Sequence, residues 1–220
     1  MKSHPELFAA MSTDLPRLYL ITPPVSDWVA YAPILEAAVA ACDVACLLLQ
    51  TESRDEGERQ KIVRALAPSV QKHGIACLIA DDAHLVAGSG ADGVHIEGTH
   101  EKVEAALKSL QPNYIVGVGG LATRDSAMSA GEAGVDYVMF GGPANPQEHS
   151  EIAERVAWWT EIFNVPCVGY AHELASIPDL VRAGAEFIAL GPAVFADPRG
   201  ADVALRDVAR LMAAAPESAR

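Results

Sequence analysis

The chain has 220 residues, of which 50% are hydrophobic and 6% aromatic, and its formal net charge is -13 at pH 7. This length fits one domain. A chain this acidic repels phosphate backbones, so we expect no nucleic-acid partner. No apolar run is long enough to cross a membrane, and the first residues lack the apolar core of a signal peptide. We therefore expect a cytoplasmic protein without a membrane partner.

Short apolar segments alternate with helical segments along the whole chain. The segments predicted as strands are 17–22, 45–50, 76–80, 93–96, 113–118, 136–140, 166–169 and 186–190. Short apolar strands that are each followed by a helix are typical of a single (β/α)8 TIM barrel, whose strands are buried on both faces. An open doubly wound sheet is the alternative, although Pro23-Pro24 stands where that fold usually carries a glycine-rich loop.

The expected barrel domain spans 17–214, with an N-terminal extension at 1–16 and a tail at 215–220. Asp27 and Thr123 stand at positions typical of helix N-caps. Three similar segments join the end of a helix to the start of a strand, and each pairs a glycine C-cap with an acidic residue. These segments are Gly90-Ala91-Asp92, Gly134-Val135-Asp136 and Gly184-Ala185-Glu186. Their similarity indicates that the barrel is built from related units.

The candidate binding residues lie where the predicted strands end. Ligands of parallel α/β proteins bind at the carboxyl ends of the strands, and small residues there let backbone N–H groups approach a phosphate. The alternative for the glycines is turn geometry, which every barrel needs. The residues predicted to bind substrate are Thr22, Gln50, Gly119, Gly141, Gly142, Gly169, Gly191 and Pro192.

Acidic and imidazole side chains mark the ends of the third and fourth strands. Asp81 and Asp82 follow the third strand, and Glu97 stands two residues after His95 in the fourth. Carboxylate oxygens are preferred ligands of Mg²⁺, so we predict Asp81 and Glu97 as metal ligands. We predict these two residues and His95 as catalytic, with His95 orienting Glu97 from the same strand face. The alternatives are helix capping, which we favour for Asp82, and a buried structural role for His95.

The order of these motifs resembles the thiamine-phosphate synthase / TenI family. Arg17–Thr22 resembles the opening strand of the family, Ile79–Asp82 resembles its I-N-D-R segment, and Ala91–Ile96 resembles its A-D-G-V-H-L segment. Ile115–Val118 and Gly134–Val138 resemble its fifth and sixth strands. The resemblance implies a barrel that uses Mg²⁺ to join a pyrimidine pyrophosphate to a thiazole phosphate. A related branch of the family isomerises a thiazole phosphate.

The chain departs from the family pattern at several charged or small positions. Gln50–Glu52 follow the second strand, where the family carries Arg and Lys that hold pyrophosphate, and Tyr170-Ala171 replace a glycine pair. Arg199 and Arg124 are the basic candidates for the expected phosphate site. Two functions stay open: an enzyme of the synthase type that binds a small phosphorylated heteroaromatic, and a non-catalytic member that binds a metabolite or another protein.

Adjacent Trp158 and Trp159 cannot both face the core of a helix-covered barrel. We favour simple packing for both side chains. The alternative is that one of them belongs to an apolar patch that contacts a second subunit, which leaves a homo-oligomer open.

Overall fold

The predicted apolar segments form eight parallel strands that close into a barrel in chain order. The computed structural model describes residues 15–144 and 147–215. The predicted (β/α)8 TIM barrel is confirmed, and the open doubly wound sheet is excluded by the closed strand order. The N-terminal extension predicted for 1–16 lies outside the described residues except for Leu15 and Pro16, and the predicted tail except for Ala215. In the described ranges no helix is long and apolar enough to span a membrane.

Helices cover the outside of the barrel between successive strands. The strands are β1 (Arg17–Ile21), β2 (Val44–Leu49), β3 (Ala76–Ala80), β4 (Gly93–Glu97), β5 (Ile115–Gly119), β6 (Tyr137–Phe140), β7 (Cys167–Tyr170) and β8 (Phe187–Leu190). The helices are α1 (Trp28–Ala41), α2 (Glu56–Gln71), α3 (Ala83–Ser89), α4 (His100–Leu110), α5 (Arg124–Glu132), α6 (His149–Ile162), α7 (Ile177–Arg182), α8 (Pro192–Phe195) and α9 (Ala201–Ala214). A 3-10 turn, Leu174–Ser176, precedes α7.

The fifth strand begins later than the sequence predicts. The prediction started it at Asn113, but the backbone N–H groups of Asn113 and Tyr114 both donate to the carbonyl of Leu110 at 3.1 Å. These bonds extend the turn that ends α4, so the strand ladder starts only at Ile115. A local turn therefore outweighs the apolar character of the segment.

Side chains alternate between two apolar cores along each strand. One set, which includes Tyr19, Leu78 and Phe187, fills the barrel interior. The larger set packs between the strands and the helices. Because the interior is filled by side chains, the barrel is a packed core and not a pore, and a ligand has room only at its ends.

The three repeated glycine–acid segments tie neighbouring strands together. Each glycine has a positive φ, between 86° and 88°, and ends its helix in the left-handed conformation that glycine tolerates. Each acidic side chain then accepts a hydrogen bond from a backbone N–H in the strand that comes before it in the barrel. The pairs are Asp92 with Cys77 N (2.7 Å), Asp136 with Val116 N (2.7 Å) and Glu186 with Cys167 N (2.9 Å).

Replacing Asp92 with alanine is expected to lower the free energy of unfolding by about 1–3 kcal/mol, because the buried Cys77 N–H loses its acceptor. Urea unfolding followed by circular dichroism measures the change. The matched control is Asp125→Ala, which removes an exposed aspartate from the first turn of α5. We expect that change to stay within about 0.5 kcal/mol. Equal urea midpoints for the two variants would contradict the strand-tying role of Asp92.

Candidate active site at the carboxyl ends of the strands

Asp81 and Glu97 lie side by side at the ends of β3 and β4. Asp81 Oδ1 accepts a hydrogen bond from Glu97 N at 2.7 Å, and Asp81 N donates to the carbonyl of His95 at 2.9 Å. Asp81 has a φ of 56°, in the left-handed region that residues other than glycine rarely adopt. The two hydrogen bonds hold this conformation, and they fix one carboxylate next to the other at the mouth of the barrel.

The pair of carboxylates carries an electrostatic cost. Glu97 is half-buried, and its pKa is raised first by burial and then by the negative charge of Asp81. A cation shared by the two groups would relieve this repulsion. No group of three or more His, Cys, Asp or Glu side chains within the described ranges could hold a metal on its own. Mg²⁺ is usually bound by one or two carboxylates together with substrate phosphates, and this pair fits that kind of site.

Asp82 caps α3 and also anchors an arginine that the sequence analysis missed. Asp82 Oδ1 accepts from Leu85 N at 3.2 Å, and Oδ2 accepts from Arg59 Nη1 at 2.7 Å. Arg59 also donates to Thr51 Oγ1 at 3.1 Å and to the carbonyl of Ala80 at 3.2 Å. The predicted capping role of Asp82 is confirmed. The guanidinium is held in place where β2 and β3 end.

A pocket of about 430 Å³ opens beside these two strand ends. Its walls include Gln50, one of the predicted binding residues, together with Arg54 and Arg59. Arg54 is exposed, and it forms no ion pair with any residue that the structure describes. Basic side chains therefore do lie beside β2, but they come from the loop and from α2. Helical spacing could have found Arg59, since it stands four residues before Val63 on the helix face that lines the pocket.

The side chain of His95 enters the barrel interior. It is 2% exposed, and its Nδ1 lies 2.8 Å from the hydroxyl of Tyr137, which lies 2.8 Å from the hydroxyl of Tyr19. Burial lowers the pKa of His95 to about 4, so the imidazole is neutral at neutral pH. The sequence analysis expected His95 to orient Glu97. Among the described residues, however, the imidazole is hydrogen-bonded to Tyr137 and not to Glu97.

Thr22 and Gly119 have structural roles at the mouth. The hydroxyl of Thr22 is buried and accepts a hydrogen bond from Gln50 N at 3.0 Å, which ties the ends of β1 and β2 together. A Cβ atom at Gly119 would lie 2.6 Å from His95 Nε2 and 3.6 Å from Glu97 Cγ. Gly119 therefore leaves room between the two side chains of β4 that face the barrel interior.

A side chain at Gly141 or Gly169 would point into the helix layer and not to the mouth. A Cβ at Gly141 would lie 2.6 Å from Ile152 Cδ1 of α6, and one at Gly169 would lie 3.0 Å from Leu180 Cδ2 of α7. Close packing of helices on strands accounts for both glycines. Gly142 follows with a φ of 155° and continues the turn after β6.

Gly191 and Pro192 begin the short helix α8 after β8. The position of a Cβ at Gly191 lies 3.6 Å from the hydroxyl of Tyr170, whose ring belongs to the interior core. Tyr170 stands where the family pattern has a glycine. It brings a hydroxyl to the end of β8 and is a second polar group of the mouth that the sequence did not reveal.

The two basic candidates from the sequence are engaged elsewhere. Arg199 forms ion pairs with Asp197 at 2.7 Å and Asp207 at 3.0 Å, and Asp197 raises the pKa of Arg199. The guanidinium of Arg124 lies 4.8 Å from the ring centroid of Trp158. Trp158 is half-buried and Trp159 is fully buried, so only one of the two faces the core. The arginines that line the pocket are Arg54 and Arg59.

The fold and the site define a class: a (β/α)8-barrel protein with paired carboxylates and arginines at the end of the barrel where such proteins bind their ligands. The family model for thiamine monophosphate synthase matches residues 18–194 of the chain. The chain belongs to this family, and the resemblance inferred from its motifs is confirmed.

Individual relatives agree with the family assignment. A thiamine-phosphate synthase of Rhodospirillum centenum is 39% identical over 201 residues, which cover 89% of this chain and 97% of that protein. A thiamine-phosphate synthase of Hyphomonas neptunium is 36% identical and covers 86% of this chain and 90% of its own length. The solved structure of a thiamine phosphate pyrophosphorylase from Pyrococcus furiosus shares the fold, with a TM-score of 0.75 at 18% identity and coverage of 91% and 96%.

Proposed function

We propose that this protein is a thiamine-phosphate synthase, which joins a pyrimidine pyrophosphate to a thiazole phosphate. The observation that supports this most strongly is the charge arrangement at neighbouring strand ends. Arg59 is held by Asp82 beside β2 and β3, and Asp81 and Glu97 stand together at the ends of β3 and β4. A pyrophosphate needs both a fixed guanidinium and carboxylates that can hold a metal ion.

The arginines bind the leaving group in this proposal. Arg59 uses three of its N–H groups to hold its position and keeps two for phosphate oxygens. Arg54, on the same pocket wall as Glu52 and Arg59, adds a guanidinium that forms no ion pair with a described residue. A guanidinium that is already in position stabilises negative charge without reorganising as the bond breaks.

Asp81 and Glu97 are the residues that would hold Mg²⁺. When bound, the metal ion supplies positive charge to the departing pyrophosphate. Asp81 Oδ1 is occupied by Glu97 N, so the second oxygen of Asp81 and the carboxylate of Glu97 are the atoms offered to the ion. A cation bound to the pair would lower the raised pKa of Glu97, because it offsets the negative charge of Asp81.

We assign the second substrate, the thiazole phosphate, to the ends of β7 and β8, which lie on the opposite side of β1 from the pyrophosphate pocket. There the hydroxyl of Tyr170 and the backbone of Gly191 lie together at the ends of β7 and β8. Gly191, Pro192 and Gly142 remain proposed contacts of the thiazole phosphate. The proposal also includes the sequence-based expectations of a cytoplasmic location and of a homo-oligomer.

The non-catalytic alternative rested on the lack of basic residues directly after β2. Arg54 and Arg59 line the pocket at that place, so the geometry favours the enzyme. The ligand is in either case a small phosphorylated heteroaromatic.

Calorimetric titration of the full chain with thiamine phosphate in the presence of pyrophosphate tests this proposal. We expect saturable binding at one site, and we expect Mg²⁺ to increase the affinity because it links the carboxylates to phosphate oxygens. The same titration without Mg²⁺ is the control. Absence of binding under both conditions would contradict the proposed function.

A further inference from the structure

One atom of His95 has no hydrogen-bond partner among the residues that the structure describes. The Nε2 atom is buried, and in the part of the chain that the structure describes it is paired with nothing. Buried polar side-chain atoms almost always have a partner, since water is not there to replace one. The other ring nitrogen is satisfied by Tyr137. The exception at Nε2 therefore requires an explanation.

The unpaired Nε2 faces the mouth of the barrel on the side of β5. A Cβ at Gly119 would lie 2.6 Å from Nε2, and the same point lies 3.6 Å from Glu97 Cγ. Gly119 is the last residue of β5, and Glu97 is the last residue of β4. The ring edge thus points to the end of β5, beside the Glu97 carboxylate at the mouth, and no side chain of residue 119 separates the two.

Two tyrosines form a chain of contacts that ends at Nδ1 of His95. Tyr19, Tyr137 and His95 Nδ1 form a chain with two contacts of 2.8 Å, and both tyrosines are fully buried. Burial raises the pKa of both hydroxyls, so both keep their hydrogens. Each hydroxyl has one hydrogen to donate. In the order in which Tyr19 donates to Tyr137 and Tyr137 donates to Nδ1, the imidazole hydrogen lies on Nε2. In the reverse order Nδ1 carries the hydrogen, and Tyr19 donates to the neighbouring Cys46 thiol.

We propose that His95 Nε2 donates a hydrogen bond to an uncharged ring acceptor of the heteroaromatic substrate, and that Tyr137 and Tyr19 position it by fixing this tautomer. The acceptor is a ring atom and not a phosphate, because a neutral imidazole offers a single N–H and no positive charge, whereas Arg54 and Arg59 offer positive charge beside β2. This inference rests on the proposed function. His95 is a substrate-binding residue in this assignment, and the two tyrosines are positioning residues.

Nitrogen-15 NMR of the full chain labelled at its histidine rings tests the inference. His95→Gln assigns the signals. In the free protein we expect His95 to show a protonated Nε2 and an unprotonated Nδ1. Saturating thiamine phosphate, whose binding is verified by calorimetry, is expected to shift the Nε2 signal more than the Nδ1 signal.

Two variants separate the positioning role from simple packing. Tyr137→Phe is expected to lose the single tautomer and to lower kcat/KM by about tenfold, as the loss of one buried hydrogen bond would. Its control is Tyr31→Phe, which removes a buried hydroxyl that is unpaired among the described residues, and which should leave the His95 signals and the kinetics unchanged. Gly119→Ala would place a Cβ 2.6 Å from Nε2, so the imidazole or the end of β5 must move, and the variant is expected to abolish the ligand-induced shift.

The outcomes distinguish the inference from the proposed function. An Nε2 signal that does not respond to bound thiamine phosphate, or a hydrogen found on Nδ1, overturns the inference even if the enzyme synthesises thiamine phosphate. If the protein neither synthesises nor binds thiamine phosphate, the proposed function is contradicted. The proposed contact between Nε2 and the substrate ring is then contradicted too, even where the free protein shows the expected tautomer.

Discussion

Replacing Arg59 with alanine is expected to lower kcat/KM for thiamine phosphate synthesis by about 10- to 100-fold. The change removes the guanidinium that Asp82, Thr51 and the carbonyl of Ala80 hold at the ends of β2 and β3. Hydrogen bonds to charged groups contribute about 1.5–3 kcal/mol, which corresponds to this range of rates. Steady-state kinetics at varied pyrimidine pyrophosphate should show a lower kcat as well as a higher KM, because Arg59 holds the pyrophosphate both when the substrate binds and as the bond breaks.

Arg64→Ala is the matched control for Arg59→Ala. Arg64 lies on the same helix and donates from Nε and Nη2 to the carbonyl of Gly88, away from the pocket. We expect its kinetics to remain within about twofold of the wild type, as for a surface substitution. Arg59→Lys keeps the charge and loses the planar fork, so its kcat/KM should lie between the two. Equal kinetics for Arg59→Ala and Arg64→Ala would contradict pyrophosphate binding by Arg59.

Asp81→Asn is expected to lower kcat by about 100-fold and to remove the dependence of ligand binding on Mg²⁺. Asparagine tolerates the left-handed conformation of position 81, and its side-chain oxygen can still accept from Glu97 N. The variant therefore removes a negative charge from the carboxylate pair and leaves the local backbone in place. Activity measured against Mg²⁺ concentration gives the result.

Asp27→Asn controls for the loss of an aspartate elsewhere. Asp27 caps α1 by accepting from Val29 N and Ala30 N, and asparagine caps helices equally well. We expect unchanged activity and an unchanged response to Mg²⁺. If Asp81→Asn kept the half-saturating Mg²⁺ concentration of the wild type, the metal-binding role of Asp81 would be contradicted.

Local signals in the sequence were sufficient to predict the barrel. Asp27, Asp82 and Thr123 cap the helices that their positions indicate, because an N-cap acts on N–H groups only two or three residues away. The apolar strands and the repeated glycine–acid segments are local as well. The role of Asp92 was not predicted, since the sequence does not show that its side chain reaches the backbone of Cys77 in the neighbouring strand.

The site was predicted only in part, because its chemistry depends on contacts between distant segments. Asp81 and Glu97 lie together at the strand ends where the sequence predicts them, since each directly follows or ends its own strand. Arg59 was missed because it reaches the mouth from a helix, and its ion pair with Asp82 spans 23 positions of sequence. The contact of His95 with Tyr137 spans 42 positions, which no local pattern reveals. Gly169 was expected at the mouth, but strand alternation turns it toward the helices.

Synthesis of thiamine phosphate by the purified full chain decides whether the protein is an enzyme. The protein is incubated with the pyrimidine pyrophosphate, the thiazole phosphate and Mg²⁺, and thiamine phosphate and pyrophosphate are quantified. We expect both products to form in equal amounts, and omission of either substrate to stop the reaction. We also expect Arg59→Ala to slow the reaction and Arg64→Ala to leave it unchanged. Binding of thiamine phosphate without any synthesis would contradict the enzyme and leave a protein that only binds such ligands.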